Sequence, residues 1–200
     1  MSLFNNIDLA RKIENIKIKG TKEYIMKRKK ISPSYNGDCF ALEGMGNVFC
    51  MEDYCFGVGF GLNEEVLSSD IEIIENSILK KDFFSHIQFE LTPYTNQQFL
   101  GILQERGYTL DHFLAVWILN LEEWKPRNIS LKSDKISIKR VTPDESYEWA
   151  RTVALGLSSD ENTTKDSIES VRCFLNLSNS DAFLLKEDEV GVAGGFLAIN

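Results

Sequence analysis

Four cysteines (Cys39, Cys50, Cys55, Cys173) and two histidines (His86, His112) are the side chains of this 200-residue sequence suited to ligating a metal or forming disulfides. Zinc asks for closely grouped thiolates and imidazoles. Only Cys50 and Cys55 lie near each other, and each histidine sits inside an apolar, strand-like run, so no zinc spacing is present and no metal is expected. The cysteines are too sparse for a disulfide scaffold, and in a reducing compartment they stay thiols. All six residues read as structural. The densest basic run, Lys27-Arg28-Lys29-Lys30, closes a helical pattern, where cations complement the helix dipole. No interleaved aromatics stack on bases there, and no apolar stripe enters a membrane surface, so the run reads as a solvated helix end.

Composition narrows the classes further. The formal net charge is −8, with 43% hydrophobic and 26% charged residues, ordinary globular proportions that argue against a dedicated nucleic-acid binder, a disordered chain or a membrane protein. Met1 to Ile31 carries nine Lys or Arg against three Asp or Glu, which leaves a net −14 on the remainder. No apolar run has the length of a signal-peptide core or a membrane span, so a cytoplasmic address is expected.

The elements that must position any site follow from periodicity. Ile7, Leu9, Ile13 and Ile16 give helical spacing to Lys19; Gly20 interrupts it, and a second helix runs from Thr21 to Lys30. Cys39–Leu42 and Val48–Met51 form a hairpin through Glu43–Asn47, and Tyr54–Gly61 is a third strand. Ser69 with Glu72 is a capping box for a helix carrying Ile71, Ile74 and Ile78. Ile87, Phe89 and Leu91 alternate as a strand ending at Pro93. Thr95 with Gln98 caps the next helix, which Gly107 stops. Phe113–Leu119 is apolar on both parities and predicts a strand buried on both faces.

Glu122–Asn128 breaks the pattern and marks a domain boundary. Beyond it come a strand at Ile136–Val141 and a helix opened by the capping box Thr142-Pro143-Asp144-Glu145, running to Gly156 or Leu157. A polar loop follows, then a helix capped by Thr163 with Asp166, and a hairpin of Ala182–Leu185 and Val190–Ile199 turning at Glu187-Asp188-Glu189. The class is α/β (α+β), a mixed, mostly antiparallel sheet flanked by helices.

Two stretches carry a family resemblance. Leu100-Gly101-Ile102-Leu103-Gln104-Glu105-Arg106-Gly107-Tyr108 before a long apolar strand resembles the ending of a GCN5-related N-acetyltransferase domain. The order strand, helix, helix, strand, strand from Ile136 to Ile199, with Glu148–Ala154 and Val192-Ala193-Gly194-Gly195, looks like the opening half of another. Leu9–Glu14 and Phe56–Gly61 also resemble the bacterial members with two tandem copies. The resemblance implies an acyl-coenzyme A N-acyltransferase-like fold in tandem: a degenerate first copy over 1–124, a linker over 125–134, and over 135–200 the opening half of a second, which ends before its cofactor site.

The implied activity is transfer of an acetyl group from acetyl-coenzyme A to a small-molecule or peptide amine. That chemistry needs amides aimed at the pyrophosphate, a base for the amine's proton and an acid for the departing thiolate. The family's Arg/Gln-x-x-Gly-x-Gly/Ala cradle is absent from the chain. At the corresponding place in the first copy, Gly57, Gly59 and Gly61 are the cofactor-binding candidates, although no Arg or Gln precedes them at the motif position and Glu64 and Glu65 follow. The competing reading is a bulged or splayed strand end that needs small residues. In the family the loop between the first two helices borders the acceptor; here it offers Ser158, Asp160 and Glu161, whose carboxylates suit a cationic amine as well as they suit plain solvent exposure. Catalytic residues are not assigned, and the 200-residue chain is expected to be inactive. The alternative is a non-catalytic binding or assembly module, with a homodimer or a partner covering the terminal strand.

Overall fold

The computed structural model describes residues 6–51, 54–80, 86–119, 122, 124, 125, 133–158 and 163–198. The chain divides into two compact units, Met1–Tyr108 with Asn176–Asn179 and Ala198–Asn200, and Thr109–Leu175 with Ser180–Leu197. The class is α+β with two mostly antiparallel sheets. Much of the linker expected at 125–134 lies outside the described residues.

The first unit opens on one helix, not two: α1 runs unbroken from Ile7 to Ile31. Asn6 caps it, its side chain accepting from the Asp8 and Leu9 amides at 3.0 and 3.1 Å. Glycine at position 20 removes no backbone hydrogen bond and costs only about 1 kcal/mol against alanine. The burial of Tyr24 and Ile25 one turn later holds the helix together. The basic end is also not uniformly solvated. Arg28 is buried, its guanidinium 5.4 Å from the Tyr35 ring centroid.

Strands β1 (Asp38–Leu42), β2 (Gly46–Met51) and β3 (Tyr54–Val58) form the expected antiparallel meander. Gly44, at φ +74°, supplies the left-handed residue of the first turn. Strand β4 (His86–Phe89) then lies parallel to β3, pairing Tyr54 with His86 and Gly57 with Phe89. A parallel neighbour needs a crossover, and α2 (Ser68–Leu79) lies within it. Ile71, Ile74 and Ile78 of α2 are buried with Val48, Phe60 and Phe99, the last from α3 (Gln97–Glu105).

Both helix starts differ from expectation by a residue or two. Asp70 closes the box of α2, accepting from the Leu67 amide at 2.8 Å, so Ser69 and Glu72 do not cap it. Asn96 caps α3 by accepting from the Phe99 amide at 2.7 Å, while Thr95 Oγ1 accepts from Thr92 and tightens the preceding turn. Any small oxygen-bearing side chain can cap, so the neighbour whose backbone is extended wins. Gly107 ends the last helix as expected, at φ +86°, with the Tyr108 amide donating to Leu103 O at 2.9 Å.

The cysteines correct another expectation. Register places Cys50 directly opposite Cys55, Cα to Cα 4.1 Å, and the two form a disulfide; Cys39 and Cys173 are not disulfide-bonded. Facing cross-strand positions, not chain spacing alone, bring these thiols together. Titration of the unfolded, unreduced protein should therefore count two thiols, not four. The closed loop is short, so its chain-entropy contribution is about 2 kcal/mol, and a Cys50→Ser/Cys55→Ser variant should lose about that much in denaturant unfolding.

In the second unit, β5 (Ile136–Arg140), β6 (Ser180–Glu187) and β7 (Val190–Ala198) form a sheet with β6 in the middle. Helices α4 (Ser146–Leu157) and α5 (Lys165–Arg172) pack on it through one core of Trp149, Ala150, Ala154, Ile168, Val171, Ala182 and Leu184. The Thr142–Glu145 box forms as predicted, leading through a short 3-10 turn at Pro143–Glu145 into α4. Thr164, not Thr163, caps α5, accepting from the Ser167 amide at 3.0 Å. Asp188 and Glu189, at φ +47° and +68°, make the two-residue hairpin turn between β6 and β7.

The apolar run Phe113–Leu119 is the largest departure. It forms no strand, and every residue from Thr109 to Leu119 is exposed, Phe113 at 86% and Trp117 at 94%. The pattern states what the run requires, two covered faces, but no described strand pairs with it.

Candidate functional site

The glycine turn at the end of β3 is built by packing first. Gly57 lies within the strand, paired on one side with Val48 and on the other with Phe89. A Cβ there would come within 2.5 Å of the Phe89 ring. Its carbonyl accepts from the Glu90 amide at 2.9 Å, extending the parallel ladder, and beyond it the chain turns through left-handed glycines, Gly59 at φ +84° and Gly61 at φ +72°. The Gly61 carbonyl accepts from the Asn96 amide at 3.1 Å, and a Cβ on Gly61 would come within 3.2 Å of the Phe99 ring. All three glycines are thus required by backbone conformation or close approach.

Helix α1 covers this turn. The Glu14 carboxylate sits against the Gly59 amide, the kind of donor that a phosphate oxygen would need. Burial pushes the Glu14 carboxyl above its ordinary range and the nearby Glu90 adds to this, while Lys17 and the Gly59 amide pull the other way. Its Oε2 is buried without a hydrogen-bond partner. Lys17 forms an ion pair with Glu90, and Arg11 Nη2 donates to the Leu62 carbonyl at 3.1 Å. Arg11, Glu14 and Lys17 come from three successive turns of one helix face. Their spacing of three with alternating charge was readable in the sequence as a polar stripe, though not as the lining of a glycine turn.

The segment between this turn and α2 adds negative charge. Glu64 folds against the first hairpin, where a Cβ on Gly44 would strike its carboxylate, and Glu65 accepts from Gln98 Nε2. A pyrophosphate bound at the turn would stand beside Glu14 and just ahead of Glu64 and Glu65 in the chain. Two like charges about 4 Å apart in a partly screened site cost on the order of 4 kcal/mol. The side chains three positions before Gly57 and Gly59 are Tyr54 and Phe56, which add no cation.

On the acceptor side, Ser158 is the C-cap of α4, its amide donating to Ala154 O at 3.0 Å; Asp160 and Glu161 lie outside the described residues. Two other polar clusters pin elements together. Glu75 of α2 receives Arg106 and, at 3.1 Å, the Tyr108 hydroxyl; the arginine holds the Glu75 carboxyl low, while burial pushes the Tyr108 hydroxyl far up. Lys186 of β6 donates to Glu148 of α4 at 2.6 Å and lies 3.5 Å from Glu145, whose own carboxyl is drawn down to about 2, chiefly by Lys139. Sequence reading placed these residues on helices and strands without pairing them.

Among the described residues no three His, Cys, Asp or Glu side chains gather as a metal site, and no helix is long and apolar enough to cross a membrane. The structure gathers the three glycines with Arg11, Glu14, Lys17 and Glu90 in the first unit, two cations and two carboxylates around one turn. Compared with protein-family models, curated proteins and solved structures, the chain finds no match.

Proposed function

We propose that the chain is built on a GCN5-related N-acetyltransferase scaffold and that, as these 200 residues, it does not transfer acetyl groups from acetyl-coenzyme A to an amine. Several features of the first unit support the scaffold reading. Three antiparallel strands lead through a crossover helix to a parallel fourth strand, and the helix after it closes on Gly107-Tyr108. The glycines stand where the parallel pair ends. What supports the inactivity is the Glu14 carboxylate set against the Gly59 turn, with Tyr54 and Phe56 in place of an Arg or Gln before the glycines and Glu64 and Glu65 after them. A cofactor phosphate would have to displace a carboxylate held by the chain itself.

The test is calorimetric titration of the full chain with acetyl-coenzyme A, together with a thiol-release assay on a polyamine and a lysine-containing peptide. The expected result is no saturable binding tighter than about 1 mM and no release above the enzyme-free rate. Saturable micromolar binding or catalysed thiol release would overturn the inactivity. A second reading, a non-catalytic binding or assembly module on the same scaffold, is favoured by the uncovered apolar chain from Leu110 to Leu119.

A further inference from the structure

We infer that this chain pairs with a second copy of itself by strand addition, the Phe113–Leu119 stretch of each copy joining the free edge of β7 on the other. The inference rests on the assembly reading and does not draw on any cofactor. Both halves of the joint lie in the second unit. One is an irregular stretch outside both sheets: Phe113, Val116 and Trp117 are 86%, 65% and 94% exposed, and no charge falls between Phe113 and Leu119. The other is a sheet edge beside which no further strand stands among the described residues. Strand β7 is outermost in the order β5-β6-β7, nine residues long, uncharged from Val190 to Ala198, with Val190, Val192 and Leu197 at least half exposed.

Folded proteins normally blunt such an edge with charge, proline, a bulge or a short length, because its open amides and carbonyls recruit another strand. None of these devices stands on β7. An exposed run with the pattern of a strand and an open sheet edge are complementary, and every copy carries both. Two copies about a twofold axis therefore satisfy all four at once, main-chain hydrogen bonds supplying the join and alternate side chains the packing. The area suffices. Phe113 and Trp117 alone expose roughly 350 Å², and the two stretches together expose on the order of 1,000 Å² of apolar surface per copy, against the ~800 Å² that a stable interface covers on each partner. Without charge on either stretch, nothing there selects a differently charged partner over a second copy.

The experiment is sedimentation velocity of the full chain across a micromolar concentration range, with Trp117→Lys and, separately, Val192→Lys. Both side chains are solvent-exposed, and circular dichroism checks that each variant folds. The expected result is a dimer whose dissociation constant rises about a hundredfold in either variant. Mixing a tagged Trp117→Cys chain with an untagged Val192→Cys chain should give a crosslink between the two that neither variant forms alone. A monomer throughout overturns both this pairing and the assembly reading. A dimer indifferent to both substitutions, no crosslink between the two mixed variants, or an open filament overturns the pairing while leaving assembly standing.

Discussion

Replacing Trp149 by alanine is expected to unfold the second unit at room temperature. The indole is 1% exposed, the largest side chain in a core otherwise made of Ala150, Ala154, Ile168, Val171, Ala182 and Leu184. Its neighbours are small because it is large: a Cβ on Gly194 of β7 would come within 3.2 Å of the ring and 2.4 Å of Val153. Removing a buried tryptophan costs about 3–5 kcal/mol, while a core of this size rarely supplies more than about that in total. Hydrogen exchange on α4, β5 and β6 reads the result locally, and protection unchanged from the parent chain would contradict it. The indole Nε1 is buried with no hydrogen-bond partner, so Trp149→Phe, which removes that donor and keeps most of the volume, should retain protection where alanine loses it.

Phe99→Ala should act as strongly on the first unit. Phe99, Phe60 and Phe89 form a ring cluster with centroids 5.4 to 6.1 Å apart, two of the three pairs edge to face. Such pairs add about 0.5–1.5 kcal/mol beyond simple burial, so the cost belongs at the upper part of the ~3–5 kcal/mol range for deleting a buried phenylalanine ring. Position matters as well. Phe99 supports Gly61 from below, and Phe89 stands over Gly57, so the loss loosens the turn that Glu14 caps. Denaturant unfolding measures the stability change. A shift below about 1 kcal/mol would mean that the three rings do not act as one core.

The same residues mark what was legible from sequence. Ile71, Ile74 and Ile78 announced the buried face of α2, and Val48–Met51 a strand, because periodicity records which faces are covered. It does not record by what. Phe113–Leu119 has the pattern of a doubly covered strand and no described strand beside it, and Cys50 meets Cys55 only because the β2–β3 register sets them opposite each other. Gly20 looked like a stop because local propensity was weighed without the buried turn that follows it. At the glycine turn, Gly57, Gly59 and Gly61 were legible as small residues at a strand end, with Glu64 and Glu65 after them. The decisive partner, Glu14, comes from a helix more than forty residues earlier, a pairing that no local pattern encodes.

The parallel pairing of β3 with β4 also orders the folding of the first unit in time. Strands β1 to β3 meet through short turns and can zip locally, whereas β4 reaches β3 only after the chain between Gly59 and His86, α2 included, has folded back. Until it does, the Phe89 ring is missing from above Gly57 and the ladder bond from the Glu90 amide is unmade. The glycine turn is therefore a late-closing seam. The seam then shuts against the Glu14 carboxylate, carried on a helix that forms from local contacts more than forty residues earlier in the chain.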